Sequence, residues 1–145
     1  MAAYRNILVA VDGSDESDAI LTKALQVAEN NNAQVSVVLV FEPVLGHYSF
    51  ELNMADFEKV QREHQAIVAD AIQRKLSGLT PAVPTERLHL RRGRPAAEIK
   101  KLTGELGIDL LIIGSHGHNP VRAVLGSTAN AVLHGIECDV LTIRV

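Results

Sequence analysis

The residues of this chain best suited to chemistry are Gly114-Ser115-His116-Gly117 and, after the eight residues His118 to Leu125, Gly126-Ser127-Thr128. Glycines let backbone N–H groups approach an anion, and a Gly-Ser-Thr that opens a helix sets the positive end of its dipole beside them. A phosphate group would be at home between the two. Either half alone is an ordinary turn or cap, so it is the pair that carries the signal. The chain has neither the Gly-Lys-Ser/Thr of a P-loop nor a G-x-G-x-x-G, which disfavours a conventional ATPase or dinucleotide enzyme.

Other constellations are weaker. His116 and His118 stand two residues apart with no Cys or carboxylate beside them in sequence, too few ligands for zinc. They read as solvated loop residues, and no metal site built from protein side chains is expected. Ser115-His116 lacks the elbow of a serine hydrolase. Asp12 follows an apolar run as a phosphoryl-accepting aspartate would, but no set of acid, base or lysine residues accompanies it, so no catalytic residue is assigned. Arg87, Arg91, Arg92, Arg94, Lys100 and Lys101, against Glu86 and Glu98, read as a solvated face. Cys138 lies between Glu137 and Ile136 on one side and Asp139 on the other, with nothing to lower its pKa, and is expected to pack at the start of the last strand.

Five apolar or β-branched runs must position these residues: Ile7 to Val11, Val35 to Phe41, Leu88 to Leu90, Leu110 to Ile113 and Val140 to Val145. Helical patterns fill the gaps. Ser14 is placed to cap a helix of some sixteen residues carrying Ile20, Leu21, Ala24, Leu25, Val27 and Ala28. Phe57, Val60, His64, Ile67, Val68, Ala71 and Leu76 mark the apolar stripe of a second helix, with His64 at the edge of the core. Pro95 opens a third helix with Ile99, Leu102 and Leu106, and Ala129, Val132 and Leu133 mark a shorter fourth. Strand and helix alternate and the chain closes on a strand. That order predicts an α/β fold: a single doubly wound domain over residues 1–145, with a five-stranded, mainly parallel sheet and helices on both faces. Ligands of such folds sit beyond the carboxyl ends of the strands, where strand order reverses. The irregular stretch Glu42 to Asn53 is a crossover or a lid.

With 145 residues, the chain is the size of one domain, and its core must be aliphatic, since 47% of residues are apolar but only 3% aromatic. The scarcity of aromatics and a net charge of −3 argue against nucleic acid and anionic membrane as partners. A single cysteine excludes an internal disulfide and fits a reducing compartment. No apolar run approaches the ~20 residues of a membrane span, and no signal-peptide layout opens the chain. A cytoplasmic protein is expected.

Three separate motifs, in order, resemble the universal stress protein family: Asn6-Ile7-Leu8-Val9-Ala10-Val11-Asp12-Gly13-Ser14, Gly93-Arg94-Pro95, and Asp109 through Gly117. The ATP-binding branch of that family reads Gly-x2-Gly-x9-Gly-Ser/Thr; here Gly114, Gly117, Gly126 and Ser127 are similar, with a spacer one residue shorter. The resemblance implies a nucleotide site that includes Val11 and in which Ala10, Asp12 and Val40 lie on the adenosine side, Asp12 as an adenine or ribose contact. Gly114, Gly117, Gly126, Ser127 and Thr128 would lie on the phosphate side, with Ser115 and His116 also at the site. No lysine follows Lys101, so triphosphate charge would be met by backbone N–H groups, Arg122, a protonated histidine and the Mg or Mn that ATP carries. The family also implies a stress-response regulatory module, a homodimer formed through the C-terminal edge strand with Val140, Ile143 and Val145 exposed, and a protein partner that the sequence does not identify. Two alternatives stay open: an interaction protein that binds no nucleotide, and a slow ATPase or self-phosphorylating protein with Ser127 or Thr128 as acceptor.

Overall fold

Ile7 to Val11 is apolar at every position because the strand it forms is covered on both faces. The computed structural model describes residues 4–42, 54–115 and 127–144, the side chains of Met54 and Ser127 excepted. Strands β1 (Asn6–Val11), β2 (Gln34–Phe41), β3 (Leu88–Arg92), β4 (Leu110–Gly114) and β5 (Asp139–Ile143) alternate with helices α1 (Glu16–Asn31), α2 (Met54–Ser77), α3 (Pro95–Glu105) and α4 (Ser127–Leu133). The sheet order is β3-β2-β1-β4-β5 and all four pairings are parallel, so the sheet expected to be mainly parallel is parallel throughout. A helix between each two successive strands returns the chain to its starting end, which leaves every strand pointing the same way.

Alternation along β1 divides the core. Ile7, Val9 and Val11 join Ile20, Leu21 and Ala24 of α1 and Ile72 and Leu76 of α2; Leu8 and Ala10 join Ile99 and Leu102 of α3 and Ala129 and Val132 of α4. At the amino ends of the strands the Asp109 carboxylate accepts the backbone N–H groups of Arg5 (2.8 Å) and Asn6 (3.0 Å), and the Asn6 side-chain amide donates to the Leu106 carbonyl (2.8 Å). Among the described residues no helix is long and apolar enough to cross a membrane.

Several sequence expectations need correction. The N-cap of α1 is Asp15 rather than Ser14. Ser14 is already engaged, because its N–H and hydroxyl both donate to the Asp12 carboxylate, which holds it in the turn before the helix. On α2 the stripe through Val60, His64, Ile67 and Ala71 faces solvent, Val60 being 59% and Ile67 68% exposed. The face toward the sheet runs instead through Gln61, Gln65, Val68, Ile72 and Leu76. His64 is therefore an exposed residue, not one at the core edge. On β5, Val140 and Ile143 are half-buried rather than exposed, because Val140 packs on the α3/α4 side of the core and Ile143 on the α1/α2 side, and Val145 lies outside the described residues. Cys138 sits one residue ahead of β5. A turn of 3-10 helix at Thr85–Arg87 leads into β3 without any periodic signal, and of the stretch Glu42 to Asn53 only Glu42 is described.

Candidate functional site

The chain moves outward from β1 to β2 and β3, then returns to the other side of β1 for β4 and β5, so strand order reverses between β1 and β4. The carboxyl ends of those two strands are the place where such folds bind ligands. Aligned Ala10 and Ile113 bring the ends together, which sets the Asp12-Gly13-Ser14 turn beside Gly114-Ser115.

Asp12 organises the turn. Its Oδ1 accepts from the Ser14 N–H at 2.9 Å, from the Ser14 hydroxyl, and more distantly from the Ser17 hydroxyl at 3.4 Å. Ser17 is fully buried, so its hydroxyl depends on protein partners. Gly13 has φ +81°, and a Cβ there would stand 3.0 Å from Val68 Cγ1. Glycine fits both the backbone and this approach to α2.

The residues expected around a ligand divide by location. Ala10 is buried and Val40 half-buried, both with the α3/α4 side of the core; Val11 is buried with the α1/α2 side, facing away from them. Gly114 ends β4. The Ser115 N–H donates to the Ile143 carbonyl at 2.8 Å, and its side chain is buried. Ser127 begins α4 and Thr128 is half-buried in its first turn. His116, Gly117, Arg122 and Gly126 lie outside the described residues, as does His118.

Two contributors escape a reading of the sequence. Ser17 looks like a surface residue of the first helical turn, and the only hint of its partner is the Asp12-x-Ser14 spacing of an aspartate-initiated turn. Lys100, read as part of a charged face, reaches from α3 to the carbonyls of Ala131 (3.3 Å) and His134 (2.8 Å) and so fixes the end of α4. No sequence signal pairs a lysine with carbonyls thirty residues away. Arg91 is bound by Glu105 at 3.0 Å and Arg92 by Gln65, so the arginine run is partly a set of inter-element ties. Burial pushes the Cys138 thiol up, with the Asp139 charge adding to it, which disfavours the thiolate. Partial burial, then the Arg91 charge, lower His89 below the usual imidazole value.

The fold recurs in known proteins. A universal stress protein A homologue of Coxiella burnetii is 35% identical over 144 residues, covering 97% of this chain and 96% of that protein. The solved structure of universal stress protein UspA from Lactobacillus plantarum superposes with a TM-score of 0.83 at 27% identity, covering 99% of this chain and all of that one. A universal stress protein crystallised in complex with cAMP is 25% identical, with a TM-score of 0.59 and 98% of each chain covered. The model of the universal stress protein family matches residues 3–144, which take in the whole sheet and its helices, and this chain belongs to that family.

Proposed function

We propose that the chain binds ATP at the β1/β4 switch point and acts as a cytoplasmic regulatory or signalling module, with little or no turnover of its own. Membership of the universal stress protein family supplies the coarser part, a role in stress response. The observation that carries the finer part is the meeting of the Asp12–Ser14 turn with the Gly114 end of β4, beside small Ala10 and half-buried apolar Val40 on one face. Such a floor suits a flat base, and a short polar turn suits a sugar hydroxyl. The relative crystallised with cAMP supports a nucleotide as the class of ligand. Gly117, Gly126 and Arg122, outside the described residues, complete the phosphate side in the sequence reading. Magnesium or manganese held by the phosphates would supply countercharge. With no P-loop lysine and no positioned general base in the sequence, hydrolysis is expected well below the ~1 per second of slow dedicated enzymes.

Mass analysis of the small molecule released when freshly purified protein is heat-denatured should identify an adenine nucleotide. Calorimetry should give micromolar ATP affinity, about −8 kcal/mol, and Gly117→Val or Gly126→Val should weaken it by roughly 2–4 kcal/mol. No binding by the parent protein at millimolar ATP, or unchanged affinity in both variants, removes the nucleotide reading and leaves an interaction protein.

The homodimer through β5 belongs to the same proposal. Ser115 donates to Ile143, and Gly114 is aligned with Ile143, so in a parallel ladder Ile143 and Leu141 turn their N–H and C=O toward β4. Thr142 therefore turns its own to the open edge. Thr142→Pro should remove an outward donor without cutting the β4 ladder, and convert a dimer to a monomer by sedimentation. A parent protein monomeric at high micromolar concentration overturns this assembly, and a dimeric proline variant places its interface elsewhere.

A further inference from the structure

We propose that the outer edge of β3, with the groove between it and α2, docks an extended acidic segment of a partner protein. The proposal stands apart from the nucleotide reading. β3 ends the sheet on the side away from β5. The Gly93 N–H donates to the Phe41 carbonyl at 3.0 Å, and Phe41 is aligned with Arg92. In a parallel ladder this turns the N–H and C=O of His89 and Arg91 toward β2, and those of Leu90 and Arg92 outward. An outward row of that kind is a template for one more strand.

Beside it lies a groove of about 320 Å³ lined by Phe41, Gln65, Ala66, Ala69, Leu90 and Arg92 among others. Its walls give a partner something to bury. Leu90 is apolar yet 41% exposed, and the α2 wall is made of small alanines that leave room for a side chain. The Arg92 guanidinium is held in place by the neutral Gln65 Oε1, which orients the charge without cancelling it. Arg91, by contrast, is neutralised by Glu105.

Charge selects the occupant. Between Thr85 and Pro95 the chain carries Arg87, Arg92 and Arg94, besides the Arg91 that Glu105 neutralises, against Glu86 and the Glu98 carboxylate near Gly93, and on α2 Arg62 lies one turn ahead of Ala66, with Asp70 one turn beyond. A second copy laid along this edge would set arginines against arginines, which disfavours self-pairing. An acidic strand meets the opposite sign. Residues two apart on a strand share a face, so the fitting segment carries an apolar side chain over Leu90 and a carboxylate two positions away at Arg92.

The probe is a fluorescein-labelled peptide of repeated Thr-Val-Thr-Glu, compared by anisotropy with a form bearing Lys for Glu and with one N-methylated at alternate residues. Micromolar binding is expected for the first, at least tenfold weaker binding for both controls, and a loss of at least tenfold with Arg92→Glu or Leu90→Asp. In the parent protein, hydrogen exchange at the Leu90 and Arg92 amides should slow at least tenfold on peptide addition, a readout that needs no variant to fold. Equal binding of the lysine or N-methylated peptide overturns acidic strand addition. No binding at millimolar peptide shows an edge whose charges merely keep other strands away, and a change in sedimentation of the peptide-free Leu90→Asp protein assigns the edge to a second copy; either result overturns the proposal.

Discussion

Leu111→Ala is expected to lower the unfolding free energy by about 3–5 kcal/mol, a large part of the roughly 5–15 kcal/mol that holds a domain of this kind together. Leu111 is fully buried in β4, aligned with Leu8 on one side and Val140 on the other, and packed in the cluster of Ile99, Leu102, Ile108 and Val132. Strands on both sides and helices α3 and α4 above it leave little freedom to close the gap that truncation would open. Leu133→Ala is the internal control, since that side chain is 42% exposed at the end of α4 and its loss should cost within about 0.5 kcal/mol. Urea unfolding of both variants checks the contrast. A Leu111→Ala cost below about 1 kcal/mol would mean that the α3/α4 side relaxes onto β4 far more than a close-packed core allows.

Asp12→Ala is expected to destabilise by about 1–3 kcal/mol although Asp12 itself is exposed. The cost comes from its partners. The Ser14 N–H and hydroxyl lose their acceptor, and the fully buried Ser17 hydroxyl loses one of its own. Asp12→Asn keeps an acceptor oxygen and should recover more than half of the loss. Denaturation gives the stability, and hydrogen exchange at the Ser14 amide reports whether the turn has opened. An alanine variant as stable as the parent, with the Ser14 amide still protected, would show that Gly13 and its contact with Val68 define the turn without the carboxylate.

The central strands were legible in the sequence because burial on both faces demands long apolar runs: β1 and β4 have them unbroken, and that of β2 is interrupted only by the buried Ser36. β3 was shortened to Leu88–Leu90 because an edge strand needs no apolar residue at Arg91 or Arg92, whose side chains reach other elements instead. The face of α2 was misread for a different reason. Its sequence carries two overlapping stripes, one through Val60 and Ile67 and one through Val68, Ile72 and Leu76, and helical periodicity cannot tell which of them meets the sheet. At the site, the glycine pattern and Asp12 stand out as residue types, whereas the burial of Ser17 and the reach of Lys100 to α4 arise only when separate elements pack.

The strand order has a consequence for how the molecule is made. β1 lies at the centre, between β2, which follows it directly, and β4, whose clamp residue Asp109 is 103 positions from Asn6. At the usual pace of translation, ~5–20 residues per second, the β4 flank of β1 stays unpaired for roughly 5–20 s after the strand is synthesised. For most of that interval Leu8 and Ala10 also lack α3, and α4 follows only after β4. The nascent chain is therefore most prone to aggregate through what becomes the middle of its sheet, a surface the finished protein never shows.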